Sequence, residues 1–351
     1  MPYPRHAQIS TQTTPYYHCV SRCVRRAFLC GWDRLTGRNY EHRKQWVVDR
    51  LRLLGAVFCI DICAYAVMAN HHHVVLRLNL EQAAALTEDE VLARWARVFG
   101  LPMLAERYRQ GESASEVEAE TAREWIAAYL ERLADLSWFM RCLNEPIARW
   151  ANAEDGVTGR FWEGRFRSQA LLDEAALLTC MSYVDLNPMR AAVAETPEDS
   201  DHTAIQARIR DWAQAPGAAS TPDTGDKAPT EAAEGETSEV PPDLLPFRGP
   251  ERDGAPDHLP FAFADYLELV DWVGRAVRDG KRGAIAADAP PILARLGIDP
   301  EAYLDRMGRR RQPFIRAIGR AHRLRQAATE WGQRYIKGIR DAKVLFPVVA
   351  G

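Results

Sequence analysis

The chain has 351 residues, 47% of them hydrophobic and 26% charged, with a formal net charge of −3. That length holds one large domain or two ordinary ones, and the balance excludes a wholly disordered chain. No run approaches the roughly 20 apolar residues of a membrane span, so no transmembrane protein is expected. The opening Met1-Pro2-Tyr3-Pro4-Arg5-His6 has no apolar stretch behind its basic residue, so no secretory signal is expected either. Seven cysteines, Cys19, Cys23, Cys30, Cys59, Cys63, Cys142 and Cys180, make an odd count without a CxxC pair. That pattern speaks against a structural zinc site and a disulfide framework, and the expected location is a reducing cytoplasm.

The small net charge hides a strong segregation. Residues 1–60 carry ten Lys/Arg against three Asp/Glu, and residues 305–340 carry eleven against two. Between them, residues 213–246 carry seven acids against one lysine. Two basic blocks around an acidic spacer suit a protein that meets a polyanion, although an ordinary solvated charge distribution is the plainer reading. The spacer is built of Pro, Gly, Ala, Ser, Thr and acids, too little apolar surface to offset the entropy of ordering it. It is expected to be a disordered linker between a first domain, 1–212, and a C-terminal unit, 247–351.

Along the chain, Tyr16 to Arg22 follows Pro15 and is rich in strand-forming residues. Glu41 to Leu54 spaces its apolar residues as an amphipathic helix does. Val57 to Met68 reads as a long buried strand, Ala69-Asn70 as a turn, and His71 to Leu78 as the returning strand of a hairpin. The stretch of about 80–150, rich in Ala, Leu, Glu and Arg, predicts a helical insertion broken at Gly100-Leu101-Pro102 and Gln110-Gly111. Phe166 to Leu172 predicts another strand. Asp173 then caps a helix from Glu174 to about Leu186 that stops before Asn187-Pro188. Mixed in this order, the elements predict an α+β fold on a mostly antiparallel sheet. The C-terminal unit predicts helices over Phe263 to Val277, from Ile292, and from Glu301. There Arg309, Arg310 and Arg311, followed by Arg316, Arg320, Arg323 and Arg325, can line one helix surface and make a small basic α-helical module. Phosphate contact is its expected use, with a partner-binding helical bundle as the alternative.

Three places can carry chemistry. His71 and His73, two apart in a strand, leave one face and can share a divalent cation, while His72 leaves the other. They read equally as hydrogen-bonded core histidines. Tyr183 and Asn187, four apart, share a helix face, and an amide oxygen from Asn187 can complete a cation site begun by two imidazoles. A phenol attacks phosphorus poorly unless a cation or base favours its phenolate, which such a site supplies. The plainer reading is a packed tyrosine before a helix stop. The run Gly159-Arg160-Phe161-Trp162-Glu163-Gly164-Arg165-Phe166-Arg167 alternates arginine with aromatics, which suits phosphate pairing with base stacking. Its candidates are Arg160, Trp162, Arg165 and Arg167, joined by Arg22, Arg25 and Arg26 after the first strand. Core-plugging aromatics among solvated arginines are the alternative.

Met68-Ala69-Asn70-His71-His72-His73 resembles the Met-Pro-Asn-His-x-His signature of the REP-associated tyrosine transposases, single-strand transposases of the HUH endonuclease superfamily. Tyr17-His18-Cys19-Val20-Ser21-Arg22, Gly159-Arg160-Phe161-Trp162-Glu163 and Tyr183-Val184-Asp185-Leu186-Asn187-Pro188-Met189-Arg190-Ala191 resemble the same family in the same order. The resemblance covers roughly residues 12–200 apart from much of 80–140. It implies a ferredoxin-like antiparallel core whose central strand presents the histidines. It also implies a Mg²⁺- or Mn²⁺-dependent nuclease that cleaves and rejoins single-stranded or hairpin DNA through a 5′-phosphotyrosine. His71 and His73 match its metal ligands, Tyr183 its nucleophile, and Asn187 the polar position one turn later. His72 stands where the family usually has a hydrophobic residue, and Ala69 where it often has proline. Relatives differ in whether tyrosine and histidines come from one chain, so monomer and homodimer stay open. Two other readings remain: a DNA-binding regulator without catalysis, and a relaxase or replication initiator using the same chemistry.

Overall fold

The computed structural model describes residues 9–24, 29–33, 37–214, 243–248, 257–279, 289–308 and 314–347. Strand β1 (Tyr16–Arg22) is followed by helix α1 (Arg43–Val57), which buries Val47, Val48, Leu51, Leu54 and Val57 along one stripe. The helix runs further than its polar pattern predicts, so β2 (Ile60–Met68) starts three residues later than expected. The turn Ala69-Asn70 leads into β3 (His71–Leu78), and β4 is Arg167–Leu171. β2 and β3 are buried at nearly every position, which is why they read as continuous apolar runs rather than alternating ones. β1 pairs antiparallel with both β3 and β4, and β2 antiparallel with β3. The order β2-β3-β1-β4 places β3 between the two strands that α1 connects, the split β-α-β arrangement expected of a ferredoxin-like α+β core.

The expected insertion folds as α2 (Leu80–Ala85), α3 (Glu88–Phe99), α4 (Met103–Arg109), α5 (Glu116–Leu133) and α6 (Leu136–Asp155). Thr87 and Glu90 form a capping box at α3, and Asp135 accepts from the Trp138 N–H to start α6. α1 and α6 share a layer, tied by buried Arg43, whose Nε donates to Glu154 at 2.7 Å and whose Nη2 donates to Asp155 at 2.5 Å. The opposite face of the sheet carries α7 (Glu174–Asp185), whose N-cap Asp173 accepts from Ala176 N–H at 2.9 Å. The short α8 (Asn187–Arg190) and α9 (Ala204–Gln214) follow it.

Residues 215–242 of the expected linker lie outside the described residues, and both of its ends belong to the fold. Ala213 and Gln214 finish α9, and Leu245 N–H donates to Ile62 O at 2.9 Å along the edge of β2. Beyond it come α10 (Phe263–Asp279), α11 (Pro291–Arg295), α12 (Pro300–Gly308), α13 (Ala321–Glu330) and α14 (Ile339–Leu345). A two-residue strand, β5 (Ala317–Ile318), pairs parallel with β4 and is too short to leave a sequence pattern. Tyr266, Trp272, Tyr303 and Phe314 from this part share one hydrophobic core with Leu178 and Val184 of α7. The arginines from 316 to 325 therefore do not line one helix, because β5 interrupts them. Gly319, next to β5, is held where a Cβ would come within 2.8 Å of Leu172 Cβ. All seven cysteines are buried free thiols, and no helix among the described residues is long and apolar enough to cross a membrane.

Candidate active site

His71 and His73 leave the same face of β3, with ring centroids 4.8 Å apart. β1 runs beside them, placing Arg22 opposite His71 and Val20 opposite His73. α7 lies over this face and sets the Tyr183 ring edge-on, 5.9 Å from His73 and 6.5 Å from His18. The resemblance-implied nucleophile and both implied ligands thus meet at one place. His18 was not singled out by the sequence, yet its Nε2 lies 2.8 Å from His73 Nδ1. The two rings are inclined by only 13° with centroids 5.1 Å apart, the spacing of imidazoles joined edge to edge through an in-line hydrogen bond.

Burial pushes His18 and His71 down to about 4, with the Arg22 charge adding to the shift at His71, and burial holds His73 well below its ordinary value. At neutral pH these rings are uncharged and keep a lone pair for a cation. His71 Nδ1 lies 2.7 Å from Asn70 Oδ1, which assigns it the proton and leaves Nε2 bare. His73 Nε2 is buried with no partner among the described residues, as is the Asn187 amide nitrogen. Asn187 opens α8 after the break at Leu186, and a half-turn of its amide presents the oxygen at that same position. Two neutral imidazoles on one strand face, with an amide one helical turn beyond Tyr183, are donor types that a divalent cation takes. No group of three or more His, Cys, Asp or Glu among the described residues is placed to hold a metal.

His72 faces the other way. Its Nε2 lies 2.8 Å from Asn144 Oδ1 of α6, and the Trp162 ring meets it edge-on at 5.5 Å. Trp162 Nε1 donates to Asn144 O at 2.9 Å, so this half-buried indole braces the layer under the site rather than standing out as a stacking surface. Arg160, Arg165 and Arg167 are exposed, as is Arg22, which pairs loosely with Glu163 at 3.8 Å. Glu163 N–H donates to Arg22 O and Val24 N–H to Phe161 O, fastening this loop to the end of β1 beside His71. Arg25, Arg26, Arg309, Arg310 and Arg311 lie outside the described residues. Tyr16 and Tyr17 are raised to about 12 by burial and Tyr65 still higher, so each is a packed, protonated phenol.

Three further residues border the site without having been named as candidates. The Arg190 guanidinium stands 4.4 Å over the Tyr183 ring. Gln169 is the β4 partner of His18 in register. Arg306 arrives from α12, whose Tyr303 hydroxyl lies 2.5 Å from the Ser182 hydroxyl, one residue before Tyr183. Their roles depend on strand register and on long-range packing, neither of which a single sequence displays. His18 and Arg190 lay inside motifs of the resemblance, that of the first strand and that of the tyrosine helix.

No family model matches this sequence, and no curated protein matches it. Among solved structures, a REP-associated tyrosine transposase bound to a REP hairpin is similar at 13% identity and a TM-score of 0.35, over 66% of this chain and 99% of that one. The likeness is distant, and the chemistry of the site rests on its own residues.

Proposed function

We propose that this protein is a metal-assisted transesterase that cleaves and rejoins single-stranded DNA beside hairpins through Tyr183. The observation that carries the reading is Tyr183 standing 5.9 Å from His73, which shares one face of β3 with His71 and holds a buried Nε2 without a partner among the described residues. The motif order along the sequence supports the same reading. His71 Nε2, His73 Nε2 and the Asn187 amide oxygen are the donors for Mg²⁺ or Mn²⁺, which when bound draws charge from phosphoryl oxygens. Arg190 holds the Tyr183 ring by cation–π contact and adds positive charge beside it. The Tyr183 oxygen bonds to phosphorus as the P–O3′ bond breaks. The phenolic proton passes through solvent to the departing 3′-oxygen, and the 5′-phosphate stays on the tyrosine. Attack by another 3′-hydroxyl reverses the step and rejoins DNA. The exposed Arg22, Arg160, Arg165 and Arg167, at the His71 end of the sheet, meet the phosphates on either side.

Labelled hairpin oligonucleotides incubated with the protein and Mn²⁺ should yield a covalent adduct on a denaturing gel. Tyr183→Phe should lose the adduct and keep binding. Binding across a library of hairpins with no adduct from the unaltered protein would replace this reading with that of a regulator on the same fold.

A further inference from the structure

His73 can offer Nε2 to a cation only if its single proton sits on Nδ1, and the sequence of a histidine does not fix that choice. In this fold a chain of hydrogen bonds fixes it from outside. The backbone carbonyl of Phe314 accepts from Gln169 Nε2 at 2.8 Å. A carbonyl has no proton to give, so the Gln169 amide is oriented with its nitrogen toward Phe314 and its oxygen the other way. Gln169 is the partner of His18 across the β1–β4 pair, so the two side chains leave one face of the sheet as neighbours, with the amide oxygen turned from Phe314 available to the His18 ring. Facing an amide oxygen, His18 carries its proton on Nδ1 and leaves Nε2 as an acceptor. That bare Nε2 is the atom 2.8 Å from His73 Nδ1, in the ring plane. The proton of His73 therefore belongs on Nδ1, directed at His18, and its Nε2 lone pair points into the buried position that has no partner among the described residues.

We propose that His18 and Gln169 are positioning residues that lock His73 in its Nδ1–H tautomer, and that the segment bearing Phe314, far along the chain, sets the end of this relay. The inference rests on the reading of His73 as a metal ligand only for its consequence, not for the tautomer itself. A carboxamide and an imidazole behind a ligating imidazole orient the ring and raise its basicity, the part outer-shell groups play at metal sites. Opposite assignments propagate badly: with the proton on His73 Nε2, that N–H is buried unpaired, a costlier defect than a bare lone pair.

The test begins on the metal-free full chain labelled with nitrogen-15 histidine, with His73→Asn used to assign the His73 signals. Long-range nitrogen–proton spectra should show His73 protonated at Nδ1 and bare at Nε2. Finding the proton on Nε2 overturns the inference. Gln169→Leu, which leaves both rings in place, should shift His73 toward a mixture of tautomers, and an unchanged spectrum also overturns it. Mn²⁺ titration by calorimetry then reads the consequence: His18→Phe and Gln169→Leu should each weaken binding, by about tenfold or more for His18→Phe. If the unaltered protein shows the Nδ1–H tautomer and takes up no Mn²⁺, the metal reading of the site falls while the tautomer lock stands.

Discussion

Arginines do opposite work in two regions of this molecule. In the loop Gly159–Ser168, Arg160, Arg165 and Arg167 are exposed, held by little more than a 3.4 Å contact from Arg160 to Glu163 O. In the seam where the C-terminal part meets α7 and the sheet, arginines turn inward. Arg320 donates to Leu296 O at 2.6 Å and Arg323 to Leu172 O at 3.1 Å. Arg306 is 6% exposed and lies over the Phe314 ring at 4.7 Å. Both regions count the same in a charge tally. Only the first keeps its charge for a partner, while the second uses guanidinium groups to satisfy backbone carbonyls and hold two parts of the chain together.

The largest effect is expected from the seam's one buried acid beside the site. Asp185 accepts from the Tyr266 hydroxyl at 2.5 Å and from Ile205 N–H at 3.2 Å. Burial nevertheless raises its carboxyl from 3.8 to about 7, with those bonds and the Arg208 charge opposing the shift. A raised carboxyl favours folding when protonated, so this contribution is full below about pH 4 and is lost as pH climbs through about 7. Taken alone, this group pulls the unfolding free energy down between about pH 4 and pH 7, by up to about 1.4 kcal/mol per pH unit. It acts against the rise with pH that the buried neutral histidines contribute as their unfolded-state imidazoles lose protons. Urea titrations of Asp185→Asn, which keeps an acceptor for Tyr266, should show a stability that climbs more steeply from about pH 5 to pH 7 than that of the unaltered protein. Equal slopes in both proteins would remove Asp185 as a contributor to the pH dependence.

Arg306 sharpens the contrast within the seam itself. Its Nε and Nη1 are buried without a partner among the described residues, and burial lowers it to about 10, still charged at neutral pH. Arg306→Met keeps the packing on Phe314 and removes an unmatched charge, so it should stabilise the protein by on the order of 1–3 kcal/mol in urea unfolding. A drop in stability instead would mean that the guanidinium is satisfied and belongs with Arg320 and Arg323.

The same contrast explains what could be read beforehand. The strands around His71 and the helix under Tyr183 were legible because β2 and β3 are continuous apolar runs and Asp173 is a capping residue just before an apolar stretch. The order of β1 to β4 was expected only through the resemblance, which implies a ferredoxin-like core, and the parallel β5 was not expected at all. The relay from Phe314 to His73 was not legible, because it joins residues 18, 73, 169 and 314 through register and a two-residue strand. Nor was the fate of the C-terminal arginines: Arg320 and Arg323 look like phosphate-binding residues until Leu296 and Leu172 carbonyls are seen to occupy them. Trp162 misleads in the same way, since an aromatic between arginines is a stacking candidate until Asn144 claims its N–H.

The loop arginines should give the smallest stability effect and the cleanest binding effect. Arg165 and Arg167 have no carboxylate partner among the described residues. Replacing either with alanine should change unfolding free energy by no more than about 0.5 kcal/mol, as for other exposed substitutions. Hairpin DNA binding should weaken for every sequence alike, because an arginine on a phosphate reads no base. A plot of log affinity against log salt should become shallower by about 0.7–0.9 for each phosphate no longer neutralised. The double variant should therefore shed most of its disadvantage at high salt. Weakening confined to one hairpin sequence, with the salt slope unchanged, would mean that these arginines read bases, and a drop in stability would move them to the seam's side of the comparison.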